Sequence, residues 1–411
     1  MATIAAPTSI RRFPVLTSTI VFAGSLEAVG HTDILSPVPE ERFSLKDHLF
    51  NKEKVDYLSG LLEEAVEGFD RARFSRTVVS GMADLELKQR VAFIAGVLTD
   101  YLSPDFETAA KQISNALPPP LDPTLTDDDF GDFILAPFGQ YVQDHGLEHF
   151  DISMGLIKEI TKRFSMEGPI RPFIDAYPGQ TLEVLQTWAR DENYHVRRLV
   201  SEGTRPLLPW APRISLDVRD PLPLLDLLHA DPTRYVTRSV ANHLNDIAKI
   251  EPGLTVDTLR RWRSEAKQDP AELDWMTNHA LRTLIKRGDP AAMELLGYSP
   301  QPSVEARLDV ATPIVRPGEA LEFSVDLRAG REENLIVDYT IDFVKKSGAT
   351  SGKVFKLKRL SMESDEDLTL VKRHPLRANA TTYSLYPGLH SVTVMVNGVA
   401  LATADFEVVT D

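Results

Sequence analysis

Apolar residues recur at helical spacing between Tyr194 and Arg205. Val196, Leu199 and Val200 fall at i, i+3 and i+4 and predict one buried face. At about 100° per residue the opposite side carries Tyr194, Arg198, Glu202 and Arg205. Gly203 and Pro206 predict the end of this helix within a turn. Forty residues on the pattern returns: Asp191, Val196, Arg198 and Val200 match Asp231, Val236, Arg238 and Val240, with Asn242 and Asn245 in place of Glu202 and Arg205. Asp246 follows one step further along. A weaker third copy offsets Asn242-His243 against Asn278-His279 by 36 residues. Periods near 40 residues, each a helix pair with Asp before the second helix, predict a HEAT-like α-solenoid.

The rest of the chain divides by period. Residues 1–42 hold a mildly apolar run broken by Pro14, Gly24 and Glu27, which is too irregular for a secretory signal. They are expected to be an irregular or disordered extension. Helical periodicity runs through Val55–Phe69, Leu85–Leu102 and Leu147–Phe164, so residues 43–300 are expected to be the repeat domain. After Pro302 the pattern alternates, as in Leu321-Glu-Phe-Ser-Val-Asp-Leu and His390-Ser-Val-Thr-Val-Met-Val, which reads as strands. Residues 303–411 thus suggest a small all-β, Ig-like sandwich of seven strands, with Asn397-Gly398 as a hairpin turn. The whole is mainly α.

Composition changes this picture little. Of 411 residues 43% are hydrophobic and 26% charged, as in soluble globular proteins. No run reaches the length of a membrane span, so none is expected. The absence of cysteine rules out disulfides, zinc–thiolate sites and cysteine nucleophiles, and it fits a cytoplasmic protein. The net charge of −15 argues against indiscriminate coating of nucleic acid. From Lys158 to Ile250, however, thirteen Lys/Arg meet twelve Asp/Glu, so a local basic face is possible.

Three stretches carry candidate chemistry. In the first, Trp188 to Trp210, Arg198 and Arg205 flank Glu202. Arginine forks suit phosphates, whereas a lone carboxylate among them either orients the guanidiniums or acts on something cationic. A plain i,i+4 Arg198–Glu202 pair on a solvated helix is the alternative. In the second, Glu167 precedes Gly168-Pro169 and Arg171 lies in the next helix's first turn, which fits either a capping carboxylate or a catalytic one. In the third, Arg238, Asn242, Asn245 and Asp246 share one side of a helix, and His243 falls on the apolar side. Asp127-Asp-Asp129 reads as a helix start rather than a metal site. Zinc, phosphate-loop, dinucleotide and nucleophile-elbow motifs are absent, so no metal or cofactor is expected.

Four stretches together resemble a known family: Phe43-Ser-Leu-Lys-Asp-His-Leu-Phe-Asn51, Ser165-x-Glu167-x-x-Ile-Arg171-Pro-Phe173, the run from Trp188 through Arg198-Leu-Val-Ser-Glu-Gly-Thr-Arg-Pro to Trp210, and Val240-Ala-Asn-His-Leu-Asn-Asp246. They resemble the AlkC branch of the HEAT-repeat DNA alkylation-repair glycosylases, some of which carry a C-terminal Ig-like domain. The resemblance implies a monofunctional glycosylase that removes cationic N-alkylated bases such as 3-methyladenine and 3-methylcytosine from double-stranded DNA. It also implies that the base stays largely stacked, in contrast to the usual extrusion. By motif, Glu167, Glu202 and Asp246 would be the catalytic carboxylates. Arg171, Trp188, Arg198, Arg205, Trp210, Arg238, Asn242 and Asn245 would contact DNA. A monomer acting at the nucleoid without cofactor is expected. The alternatives are a non-catalytic repeat protein that binds damaged or branched DNA, and a protein-interaction scaffold.

Overall fold

A computed structural model describes residues 44–127, 131–378 and 384–409. The expected extension at 1–42 lies outside the described residues. From the amino end, helices run α1 (Leu45–Leu49), α2 (Lys52–Ala65), α3 (Arg71–Gly81), α4 (Leu87–Leu98) and α5 (Phe106–Asn115). After a long loop and a 3-10 turn (Phe133–Leu135) come α6 (Ala136–His145), α7 (Phe150–Thr161) and α8 (Arg171–Ala176). Three helix pairs follow: α9 (Pro178–Trp188) with α10 (Tyr194–Gly203), α11 (Leu222–Leu228) with α12 (Arg234–Ile247), and α13 (Pro252–Glu265) with α14 (Pro270–Ala280). The short helices α15 (Arg282–Arg287) and α16 (Pro290–Leu295) end the array.

Local chemistry places the helix starts. Asn51, Asp70, Asp105, Asn193, Asp269 and Asp289 each accept a backbone N–H of the first turn, meeting donors that the helix leaves unpaired. The second helices of successive pairs stack side by side, α10 on α12 and α12 on α14. One apolar core runs through the array, from Phe50 and Leu58 to Trp262 and Met276.

The C-terminal strands are β1 (Val304–Val310), β2 (Ile314–Val315), β3 (Ala320–Ala329), β4 (Glu333–Val344), β5 (Thr350–Met362), β6 (Asp367–Pro375), β7 (Gly388–Val396) and β8 (Val399–Val408). They form two sheets, ordered β1-β3-β6 and β2-β8-β7-β4-β5. The sandwich thus has eight strands among the described residues rather than the expected seven. The addition is β2, a two-residue strand that pairs parallel with β8 and is too short to leave a period in the sequence. Inward residues such as Phe323, Tyr339, Ile341, Val394 and Phe406 fill a second core.

The two parts meet at a glycine contact. Asn397 and Gly398 both have positive φ, which fits a type I′ turn between β7 and β8. That turn sits against Gly288, the left-handed cap of α15, so closely that a Cβ on Gly398 would lie 2.1 Å from Gly288 Cα. The Asn397 amide also donates to the Ser299 carbonyl at 3.1 Å. The sandwich is thereby docked backbone to backbone on the end of the helical array.

Candidate functional site

Helix α10 departs from its expected one-sided burial. Every residue from Tyr194 to Gly203 except Arg197 is buried, including Arg198 and Glu202. Two segments cover the polar side. The turn before α8 brings Ser165 and Glu167 onto it, and the α5–α6 loop brings Asp122, whose carbonyl accepts from the Tyr194 hydroxyl at 3.4 Å. Gly203 permits the first approach, since a Cβ there would fall 2.8 Å from Ile170 Cγ2.

What gathers on this side is one alternating network of charges. Arg198 Nη1 donates to Glu167 Oε2 at 2.5 Å, and Arg198 Nη2 lies 3.5 Å from Glu202 Oε1. Arg205 donates from Nη1 to Glu202 Oε1 at 2.5 Å and from Nε to Asp246 Oδ2 at 2.8 Å. Lys249 Nζ completes it on Asp246 Oδ1 at 3.0 Å. The Ser239 hydroxyl donates to Glu202 Oε2 at 2.6 Å. Three carboxylates are therefore matched by three cations, which is how buried charge is tolerated at all. Burial alone would raise the Glu202 pKa, but Arg198, Arg205 and the Ser239 hydroxyl outweigh it and hold the carboxyl at about 2.

The three carboxylates lie in one network but differ in access. Side-chain exposure is 26% for Glu167, 6% for Glu202 and 1% for Asp246. Glu167 does not cap α8: the N-cap position is Ile170 and no side chain bonds there. Its bonds to Ser165 and Arg198 both fall on Oε2, which leaves Oε1 outside these hydrogen bonds.

Several expected contacts have other duties. Arg171 is buried and spends its fork on carbonyls, with Nη1 on Gly203 and Arg205 and both Nε and Nη2 on Pro212. It therefore braces the loop that carries Arg205 instead of facing a ligand. Trp188 is 5% exposed within the core, because α9 turns it towards the apolar interior. Asn245 is buried and accepts from Thr283 N and Oγ1 at 3.3 and 2.9 Å, which ties α12 to α15. His243 is a core histidine: its Nδ1 meets the Ser201 carbonyl at 3.0 Å, and burial beside Arg205 lowers its pKa to about 4.

Other residues do reach the surface. On α12 the residues left incompletely buried are Arg234, Arg238 and Asn242, one strip at i, i+4 and i+8. Asn242 Oδ1 takes Arg282 Nη2 at 3.0 Å and His279 Nε2 at 2.9 Å. Trp210 is 60% exposed and has a left-handed backbone (φ 64°), with its carbonyl held by Lys88.

Sequence reasoning missed Asp127. No helix begins there in the described residues; Asp132 caps the 3-10 turn instead. The Asp127 carboxylate forks onto Arg238, with Oδ1 2.6 Å from Nη2 and Oδ2 3.0 Å from Nη1, while the Thr126 carbonyl accepts from Tyr235 N at 3.2 Å. Pairing over such a chain separation leaves no local signal.

On the sandwich, Lys353, Lys356, Lys358 and Arg359 stand exposed on β5, an edge strand. Arg359 Nη1 donates to Asn278 Oδ1 on α14 at 2.8 Å, so this basic edge continues the α12–α14 face. The run Lys372-Arg373-His374 forms no such patch. Arg373 pairs with Glu322 at 3.1 Å, and His374 is buried against the Tyr339 hydroxyl at 2.8 Å.

Among the described residues no group of three or more His, Asp or Glu is arranged to hold a metal ion, and no helix is long and apolar enough to cross a membrane. Residues 304–410 match the family described as the C-terminal Ig-like domain of uncharacterised protein YhaZ. The sequence is 32% identical over 370 residues to the uncharacterised protein YhaZ of Bacillus subtilis strain 168, covering 88% of this chain and 98% of that protein. The fold is similar, with a TM-score of 0.80 and 33% identity, to the alkylpurine DNA glycosylase AlkC of Pseudomonas fluorescens bound to DNA containing an abasic-site analogue. That match covers 89% of this chain and 100% of the other.

Proposed function

We propose, from the premise that this chain belongs to the AlkC-like family that includes YhaZ, that it is a DNA glycosylase acting on cationic N-alkylated bases such as 3-methyladenine and 3-methylcytosine. The observation that carries the reading is the convergence of Glu167, Glu202 and Asp246 on Arg198 and Arg205, beside a strip of surface arginine.

The chemistry suits such a lesion. A base alkylated to a cation is already a good leaving group, and its departure leaves an oxocarbenium-like sugar. A carboxylate oxygen aimed at that sugar stabilises positive charge as it develops and can orient the attacking water. Glu167 is the carboxylate that solvent reaches, so it is the one proposed to face the sugar. Glu202 and Asp246 complete the anionic set behind it. Arg198 and Arg205 are buried among these carboxylates and hold them in register, so phosphate contact falls to the partly exposed Arg238. The exposed face of Trp210 is proposed to pack on sugar or base. This chemistry needs no lysine Schiff base, and Lys249 is engaged on Asp246, so strand cleavage is not expected. Incubation with methylated duplex DNA followed by mass spectrometry should detect free alkylated bases; no release above background rejects the reading.

Arg238 is proposed to grip a backbone phosphate, in the place where it now grips Asp127. Asp127→Asn should then tighten binding of plain duplex DNA about 2–5-fold, the size expected of a partly exposed ion pair. Fluorescence anisotropy checks this, and weaker binding would count against it. The β5 edge is proposed as a second clamp. Lys356→Glu with Lys358→Glu should weaken binding and lower the slope of log K against log salt by about 1 for each phosphate no longer neutralised.

The deep burial of Glu202 and Asp246 favours one other reading, a repeat protein that holds damaged DNA without cutting it. Such a protein would pass the binding tests and release no base. A protein-interaction scaffold is disfavoured, because the partly exposed strip of α12 is Arg234, Arg238 and Asn242 rather than an apolar surface.

A further inference from the structure

The hydroxyl of Ser165 lies where it can decide which oxygen of Glu167 faces outward. It donates to Glu167 Oε2 at 2.9 Å and accepts from Arg198 Nη1 at 2.6 Å, while the same Nη1 reaches Glu167 Oε2 at 2.5 Å. Serine, arginine and carboxylate oxygen thus close a three-membered ring on Oε2. Oε1 is left outside that ring. A carboxylate bonded through one oxygen to a single arginine could still rotate about its terminal torsion, which is broad and two-fold. A second bond, from a group with a different origin, removes that freedom.

The support for Ser165 is itself stiff. Its neighbour Phe164 forms a β-bridge with Gly131, and the backbone there is so close that a Cβ on Gly131 would lie 1.9 Å from the Arg163 carbonyl. Asp132 N donates to that same carbonyl at 3.1 Å, and the Arg163 side chain holds the Pro118 carbonyl at 2.7 Å. Ser165 is buried, so its hydroxyl exchanges little with solvent. The backbone just before Ser165 is therefore anchored, which is what keeps a supporting group in register.

Glu202 offers an internal comparison. Ser239 bonds its Oε2 in the same manner, but Arg205 bonds Oε1 at 2.5 Å and Arg198 lies 3.5 Å from it, so both oxygens are committed. Of these two carboxylates, the serine device leaves an oxygen outside the network only at Glu167.

We infer that Ser165 is a positioning residue for Glu167, holding one carboxylate oxygen so that the other is presented to the sugar of the damaged nucleotide. The inference rests on the glycosylase reading. It goes beyond that reading in assigning to a neutral side chain the orientation of the reactive carboxylate.

The test compares Ser165→Ala, Ser165→Thr, Glu167→Gln and the Ser165→Ala/Glu167→Gln double variant with the unaltered protein. Single-turnover base release and DNA affinity are measured separately. Ser165→Ala should slow release roughly 10-fold or more, as loss of a hydrogen bond to a charged group does, and leave affinity within about twofold. Ser165→Thr keeps the hydroxyl and should recover most of the rate. In the double variant the two losses should not multiply, because Ser165 acts only through Glu167. Full activity in Ser165→Ala, no recovery in Ser165→Thr, or multiplied losses would each overturn the inference. If the unaltered protein releases no base, the functional reading fails, and a crystal structure of Ser165→Ala decides the positioning role. A Glu167 carboxylate still fixed on Arg198 through Oε2, with Oε1 outside the network as before, refutes the role, and a displaced or divided carboxylate upholds it.

Discussion

Glu167→Gln should lower the single-turnover rate of base release by about 100-fold or more, the scale on which a single preorganised electrostatic contact acts. The substitution preserves shape but removes the negative charge that would meet the developing cation. DNA affinity should hold or rise, since one anion fewer faces the phosphates. Stability should change by no more than about 1 kcal/mol, because Glu167 is partly exposed and Arg198 still has Glu202 beside it. Rapid-quench kinetics, anisotropy and thermal melting separate the three quantities. A rate within a few-fold of the unaltered protein would remove Glu167 from the chemistry, and a large fall in melting temperature would reassign it to the fold.

Glu202→Gln should behave in the opposite way, with stability taking the first loss. Both Glu202 and the two arginines on it are buried, so a neutral amide leaves two guanidiniums facing each other without their shared counter-ion. Breaking a buried pair in this way costs about 3–5 kcal/mol. For a domain of this size that corresponds to a melting temperature lower by on the order of 10 °C. Base release should fall as well, since Arg205 would then be held chiefly by Asp246.

Acid provides a check on the same pair. The Glu202 pKa is about 2 in the folded protein against an ordinary 4.5. A carboxylate with a lowered folded pKa adds stability that is complete above its ordinary value and is lost as pH falls towards the folded one. The gap in melting temperature between the unaltered protein and Glu202→Gln should therefore narrow as pH falls from about 4.5 towards about 2. His243 acts earlier. Its pKa is lowered from 6.5 to about 4, so the stability tied to its neutral form is complete above 6.5 and lost between 6.5 and about 4 in both proteins. A gap that stayed constant down to about pH 3 would mean that Glu202 is not held ionised by its arginines.

How legible the molecule was varied with the range of the interaction. The α10 boundaries at Tyr194 and Gly203 follow from an Asn cap, apolar spacing and a terminating Gly-Thr-Arg-Pro, all of them local. The change from a period of about 3.6 to a period of about 2 near Pro302 marked the passage from helices to strands, and the paired positive-φ turn at Asn397-Gly398 was visible as a dipeptide. Arg171 and Trp188 were harder. Both sit in motifs that promise ligand contact, yet one is used on carbonyls more than thirty residues away and the other is turned into the core.

The polar side of α10 is the clearest case of tertiary override. Its period described an amphipathic surface helix, but segments distant in sequence cover the side that carries Arg198 and Glu202. A hydrophobic period reports which residues avoid water; it cannot report which polar residues will find buried partners of opposite charge. The helix pairs, the position of the sandwich and the residue types available for chemistry were written in local order along the chain, because they depend on neighbours within a turn or two. Packing in three dimensions alone left Glu167 partly exposed with one oxygen outside the network, buried Glu202 and Asp246 beside arginines, and set Asp127 on Arg238. Arg198 and Arg205 meet Glu202 within one turn, but the contacts that complete these arrangements join side chains 31 to 111 residues apart.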